Sequence, residues 1–195
     1  MKMMLTCIAL AAIQSFTTTS QAQKLKVTEG DLSSVKNETS INFDFTYDNM
    51  AVGKFDTEKE YLEKKTEEYN KKEPGRGDNW AKSWVSDRQA RFEPKFIELF
   101  TKASGMSESK TAKYTIIFKT KFTEPGFNIG IVRKNAKVNA DAIIVETANK
   151  SKVIAIISVE NALGRTFGGY DFDTGERIAE AYADAGKALG KYVKK

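Results

Sequence analysis

Two runs rich in β-branched residues, 142–147 and 153–159, stand on either side of the short polar connection Ala148-Asn149-Lys150-Ser151. Valine and isoleucine fit the pleated surface of a sheet, and a short polar connection between two such runs folds back as a hairpin. A hairpin alone is not stable in water, so this pair needs further strands beside it and an apolar layer over it. The rest of the sequence supplies both.

Ile41, Phe43, Phe45 and Tyr47 alternate with Asn42, Asp44 and Thr46, the period of a strand with one buried face. Tyr114, Ile116, Phe118 and Phe122 repeat that pattern against Thr115, Lys119 and Lys121; Pro125-Gly126 makes a turn, and residues 127–132 open another strand. Two helical stretches separate the first strand from the second. Thr57 and Glu60 stand at capping-box spacing ahead of Tyr61, Leu62, Lys65 and Tyr69, and residues 73–77 end that helix in a loop. Asp78 is placed to cap a second helix carrying Trp80, Trp84, Phe92, Phe96, Leu99 and Phe100. Pro94 cannot donate to the carbonyl of Ala90, which predicts a kink or restart near Glu93 and an end at Gly105. The last helix follows Asp173 and Glu176, again at capping-box spacing, and bears Ile178, Tyr182, Ala185, Leu189 and Tyr192 as its apolar stripe. Gly186 and Gly190 would let its backbone approach a sheet closely, and Lys194 and Lys195 read as a fraying end. The order predicts an α+β (mixed α/β) fold: a mixed β-sheet of about five or six strands with about three or four helices packed mainly on one face. A crossover through the helical pair makes the first two long strands parallel, and an antiparallel meander follows.

The N-terminus has three zones: Lys2, an apolar run over residues 3–13, and a polar stretch that leads to Ser20 and Ala22 just before Gln23. That is the layout of a secretory signal, read as residues 1–22, with one domain over residues 23–195. The apolar run spans about 11 residues against the roughly 20 that cross a bilayer, so no stable membrane anchor is expected after cleavage. Cys7 lies inside the run and not behind a small residue at its end, which is where a lipid-anchor cysteine stands. The expected location is outside the cytoplasm, periplasmic or secreted.

The chain contains no histidine, and its only cysteine is Cys7. Ser-His-Asp and Cys-His catalysis and the usual zinc sites are thereby excluded, which leaves carboxylate pairs, a Ser-Lys dyad or oxygen-ligated metals as the available chemistries. The net charge is +5, with lysines interspersed among acids and no dense basic cluster, so no nucleic-acid partner is expected. No cofactor is expected either: Gly164, Gly168 and Gly169 lie outside any phosphate-loop pattern.

Asp171, Asp173 and Glu176 form the best carboxylate constellation and the candidate metal site, although an EF-hand would want more ligands and Asp173 has a simpler role as a helix cap. Arg76-Gly77-Asp78, after Pro74-Gly75, matches the integrin-binding tripeptide and is placed in a loop. Trp80 and Trp84 lie one helical turn apart, at a spacing that could stack on a sugar and equally fits core packing. Arg165, Phe167 and Tyr170 sit in a glycine-rich stretch, residues 161–170, read as a contact loop. The leading functional expectation is a non-catalytic envelope protein that binds or assembles with an unknown envelope protein or glycan. The alternatives are a carboxylate-dependent glycan hydrolase and a host-adhesion protein using the Arg76-Gly77-Asp78 loop.

Residues 113–117 (KYTII), 122–130 (FTEPGFNIG), 169–178 (GYDFDTGERI) and 186–192 (GKALGKY) resemble an uncharacterised secreted protein family of gut-type Gram-negative bacteria. More distantly, the layout is similar to envelope lipoprotein domains with the fold of the periplasmic TolB N-terminal domain, from which this chain departs in lacking the anchor cysteine. The resemblance implies an envelope location and no catalytic residues.

Overall fold

The structure, a computed structural model, describes residues 23–129, 132–164 and 173–195. The expected signal segment, residues 1–22, and the candidate residues Arg165, Phe167, Tyr170 and Asp171 lie outside the described residues. In chain order the strands are β1 (Lys24–Gly30), β2 (Ser40–Thr46), β3 (Ala51–Val52), β4 (Ser107–Glu108), β5 (Tyr114–Glu124), β6 (Phe127–Ile129), β7 (Val132–Lys134), β8 (Ala136–Glu146) and β9 (Asn149–Gly164). The helices are α1 (Glu58–Asn70), α2 (Arg76–Asp87), α3 (Glu93–Ser104) and α4 (Thr174–Tyr192).

The valine- and isoleucine-rich runs form the hairpin β8–β9, but it turns more tightly than the polar connection implied: Glu146 pairs with Asn149 across Thr147-Ala148. Its strands also reach further, because Ala136, Val138, Ala140 and Ala142 continue the period of two and are fully buried. β5 runs antiparallel to β8, and β2 lies parallel to β5 with Phe43 opposite Ile116 and Phe45 opposite Phe118. The helical crossover therefore joins parallel neighbours, and the meander follows it. The sheet has seven strands in the order β1-β9-β8-β5-β2-β4, with β3 beside the end of β5; β6 and β7 form a separate two-stranded ribbon.

α2 and α3 are joined by a π-helical turn, Arg88–Phe92, which widens the helix just ahead of Pro94 in the first turn of α3. That turn is how the chain accommodates a proline with no N–H to donate. Gly105, at φ 73°, ends α3. Phe96 lies 4.5 Å from Phe118, Phe43 lies 5.1 Å from Phe100, and Tyr182 stacks on Phe92 at 5.3 Å while sharing a 2.6 Å hydrogen bond with Thr120. These aromatics bind α3 and α4 to one face of the sheet.

Two sequence expectations are corrected here. Gly186 and Gly190 admit a helix and not the sheet: a Cβ on Gly186 would stand 2.2 Å from the carbonyl oxygen of Phe96, and one on Gly190 would stand 2.6 Å from that of Phe100. The C-terminus does not fray, since Lys194 donates to the carbonyls of Lys36 and Glu38, both at 2.9 Å, and Val193 is buried.

Candidate functional site

α1 and α2 meet through aromatic side chains. Tyr61 lies 5.0 Å from Trp84, Tyr69 lies 5.5 Å from Trp80, and the two tryptophans stand 5.7 Å apart. Their roles diverge. Trp84 is 6% exposed and donates through Nε1 to Glu58 at 2.5 Å, while Glu58 also accepts from Arg88 of the π turn. Trp84 is thus a core residue with its polar atom committed. Trp80, one turn earlier, is only half-buried and forms with Tyr69 the wall of a cleft of about 240 Å3.

The opposite side of the cleft comes from the N-terminus of α4. Gly175 makes the close approach possible: a Cβ there would stand 2.1 Å from Oδ2 of Asp87. Asp173 Oδ1 accepts from the N–H groups of Gly175 at 2.7 Å and Glu176 at 3.4 Å, capping α4, while its Oδ2 accepts from Arg91 Nη1 at 2.8 Å. Arg91 Nε lies 3.1 Å from Asp87 Oδ1, so one guanidinium stands between the two acids. Partial burial pushes the Asp173 carboxyl up, but the Arg91 hydrogen bond and the two cap bonds outweigh it and hold the group below the ordinary aspartate range. Asp87 goes the other way: burial raises it, Arg91 only partly offsets that, and the charges of Asp173 and Glu176 add to the rise. Arg76, Ser83, Thr174 and an edge of Trp84 complete the lining, with the Arg76 guanidinium 5.6 Å from the Tyr69 ring.

The sequence candidates are redistributed by this geometry. Arg76, Trp80 and Asp173 meet at one cleft, although each belongs to a different sequence motif: the tripeptide, the tryptophan pair and the acidic cluster. Arg76-Gly77-Asp78 is not a loop but the first turn of α2, and Asp78 is not its cap, a position held by Gly75 at φ 80°. Gly77 is buried and donates to Asn70 Oδ1 at 2.6 Å; Asp78 accepts from Asn70 Nδ2 at 3.0 Å. The tripeptide therefore ties α2 to the end of α1. Of the metal candidates, Asp173 has both oxygens engaged and Glu176 is exposed; among the described residues no group of three acids, histidines or cysteines could hold a metal ion.

Three contributors were missed: Asp87, Arg91 and Gly175. The i,i+4 spacing of Asp87 and Arg91 was visible, but nothing along the chain ties that pair to the cap of α4. Buried Arg177 was missed as well. It donates to the carbonyls of Pro125 at 3.2 Å and Gly126 at 3.3 Å and to Thr174 at 2.9 Å, anchoring the root of the β6–β7 ribbon beside α4. That ribbon pairs Phe127 with Lys134 and Ile129 with Val132, and it carries Phe127, Ile129 and Val132 exposed on one face. No helix among the described residues is long and apolar enough to cross a membrane.

No family model matches this chain, and no curated protein matches it. Among solved structures it is similar to the PelC dodecamer from Paraburkholderia phytofirmans, at 11% identity over 84% of this chain and 97% of that chain, with a TM-score of 0.37. A substituted form of the same dodecamer is similar at 12% identity over 84% of this chain and 98% of that one, again with a TM-score of 0.37.

Proposed function

We propose that this is an exported, non-catalytic binding protein of the periplasm or cell exterior, and that the cleft beside Trp80 takes one ring of a neutral glycan. The reading of export rests on the signal-like layout of residues 1–22. The observation that carries the binding role is the composition of the cleft: Trp80 and Tyr69 share its lining with the polar side chains of Arg76, Ser83 and Asp173. A sugar offers an apolar C–H face to such rings and hydroxyls to such polar groups, and ion-paired acids and arginines fix the direction of each hydrogen bond. At about 240 Å3 the cleft is smaller than a typical drug-sized site, which starts at roughly 300 Å3, so a single ring fits and the rest of a chain would extend into solvent.

Hydrolysis is disfavoured by Arg91. A glycosidase needs two carboxyl groups facing each other across the scissile bond, whereas here a guanidinium occupies the space between Asp87 and Asp173. Titration with oligomers of N-acetylglucosamine and of neutral hexoses, followed by calorimetry and by NMR of the tryptophan Nε1–H groups, tests the reading. Binding is expected to disappear in Trp80→Ala while the fold survives. Binding that persists in that variant, or release of shortened sugars, would overturn it.

A role in assembly is the second reading, carried by the exposed Phe127, Ile129 and Val132 of the ribbon. It predicts a concentration-dependent rise in sedimentation coefficient that Ile129→Asp abolishes.

A further inference from the structure

We propose that the β6–β7 ribbon is a peripheral membrane contact, which lays its apolar end into the surface of an anionic phospholipid bilayer. The inference goes beyond the cleft and does not rest on its glycan. Side chains along the ribbon are ordered by depth. Residues directly opposite in an antiparallel pair share a face, so Phe127, Lys134, Ile129 and Val132 lie on one side and Asn128 and Arg133 on the other. Exposure on the first side rises away from the root: Phe127 is 38% exposed, whereas Val132 and Ile129 are 55% and 72% exposed. A strand face turned to water ordinarily carries polar residues, and this one does the reverse. At about 3.4 Å per residue, Ile129 stands about 7 Å beyond Phe127, within the roughly 5–10 Å to which interfacial segments bury apolar side chains in a bilayer.

Charge selects the occupant. The whole chain sets 31 cations against 26 acids, but residues 119–141, which run from β5 through the ribbon into β8, hold Lys119, Lys121, Arg133, Lys134 and Lys137 against only Glu124 and Asp141. Both acids are engaged within the stretch, Glu124 by Lys134 at 2.5 Å and Asp141 by Lys121 at 2.6 Å, so a net excess of positive charge stays behind the apolar end. That order, apolar first and cationic next, matches a bilayer whose phosphates lie just outside its hydrocarbon. A second copy would bring the same positive excess against itself, and an uncharged apolar partner would leave the cations without a counterpart. The root is fixed as well, since Arg177 of α4 donates to the carbonyls of Pro125 and Gly126 where the ribbon leaves the sheet.

The test sediments vesicles with protein purified after expression of the full chain in a Gram-negative host. Vesicles of phosphatidylethanolamine with phosphatidylglycerol should carry the protein down at low salt, and vesicles of phosphatidylcholine alone should not. Ile129→Asp, at a position too exposed for the fold to depend on it, should abolish binding, while Arg133→Gln and Lys137→Gln should each weaken it about fivefold. Ile129→Trp should keep binding and gain emission that bromine-labelled acyl chains quench, which adsorption by charge alone would not give. Equal binding to both kinds of vesicle overturns the proposal. So does equal binding by wild type and Ile129→Asp, because the contact then lies elsewhere, as it would if the N-terminus made it. Failure to bind the anionic vesicles also overturns it, and where Ile129→Asp at the same time removes a self-association seen without lipid, the ribbon belongs to assembly instead.

Discussion

α1 and α4 both begin with a side-chain cap, and there the likeness ends. Thr57 accepts from the N–H of Glu60 at 3.2 Å and the Glu60 carboxylate accepts from the Thr57 N–H at 3.3 Å, while Asp173 accepts from Gly175 and Glu176. Yet α1 buries a single residue, Tyr61, whereas α4 buries eleven, including Ile178, Tyr182, Ala185 and Leu189. Capping decides where a helix starts, and the width of its apolar stripe decides whether a core holds it. α1 is held instead by its aromatic contact with α2 and by Glu58, which binds Trp84 and Arg88.

The largest expected effect separates the two helices directly. Leu189 is fully buried, so Leu189→Ala should cost about 2–5 kcal/mol, whereas half-buried Leu62 of α1 should cost about 1 kcal/mol on the same change. Urea melts of the two variants give the comparison, and equal shifts in midpoint would break it. The next effect runs against helix propensity. Replacing a helical glycine by alanine ordinarily gains about 1 kcal/mol. At Gly186 the new Cβ would meet the Phe96 carbonyl at 2.2 Å, so Gly186→Ala should instead destabilise, with overpacking worth about 1–3 kcal/mol. A rise in melting temperature would show that α3 and α4 do not approach as described.

Deleting Lys194 and Lys195 sharpens the contrast at the other end of α4. The Lys194 ammonium satisfies two carbonyls in the segment between β1 and β2, and Lys36 in turn donates to the carbonyl of Lys195 at 3.1 Å. The loss should be about 1 kcal/mol, more than an unattached tail would give. A deletion with no measurable shift in the urea midpoint would return these residues to the fraying end that their position in the sequence implied.

What could be read along the chain was whatever is written locally. The capping box at Thr57, the restart at Glu93 and the stripe of α4 each depend on residues within a turn or two of one another. The parallel pairing of β2 with β5 followed from the length of the crossover. β1 was missed because Leu25 and Val27 are its only apolar pair, and β3 and β4 because two residues carry no period. The cleft was legible only in fragments. Trp80, Arg76 and Asp173 were each singled out, but Arg91 bridges a π turn and a helix cap that stand 82 positions apart in the chain. Gly175 gave no sign that its missing side chain makes room for Asp87.

The smallest effect concerns the two caps themselves, because only one of them titrates. Asparagine caps a helix about as well as aspartate, so Asp173→Asn should keep the start of α4 and remove only the charge pair with Arg91. Both partners are well exposed, at 53% and 39% of their side chains, so screening limits the loss to about 0.2–1 kcal/mol at neutral pH. The sign with pH follows from the depressed carboxyl. Its contribution is complete above the ordinary aspartate range and disappears as pH falls through that range toward the folded value. Asp87 and Glu93 are raised by burial, so their protonation relieves a cost as pH falls through their folded values and works in the opposite direction. Wild-type stability should therefore hold or rise slightly on mild acidification and then fall, and Asp173→Asn should converge on it at the acid end. Thr57→Ala in α1 should instead lower stability by the same amount, about 1 kcal/mol, at every pH where the chain is folded. Melts of the two variants across the acid range test this, and a pH-independent gap for Asp173→Asn would mean that Arg91 holds Asp173 through geometry and not through charge.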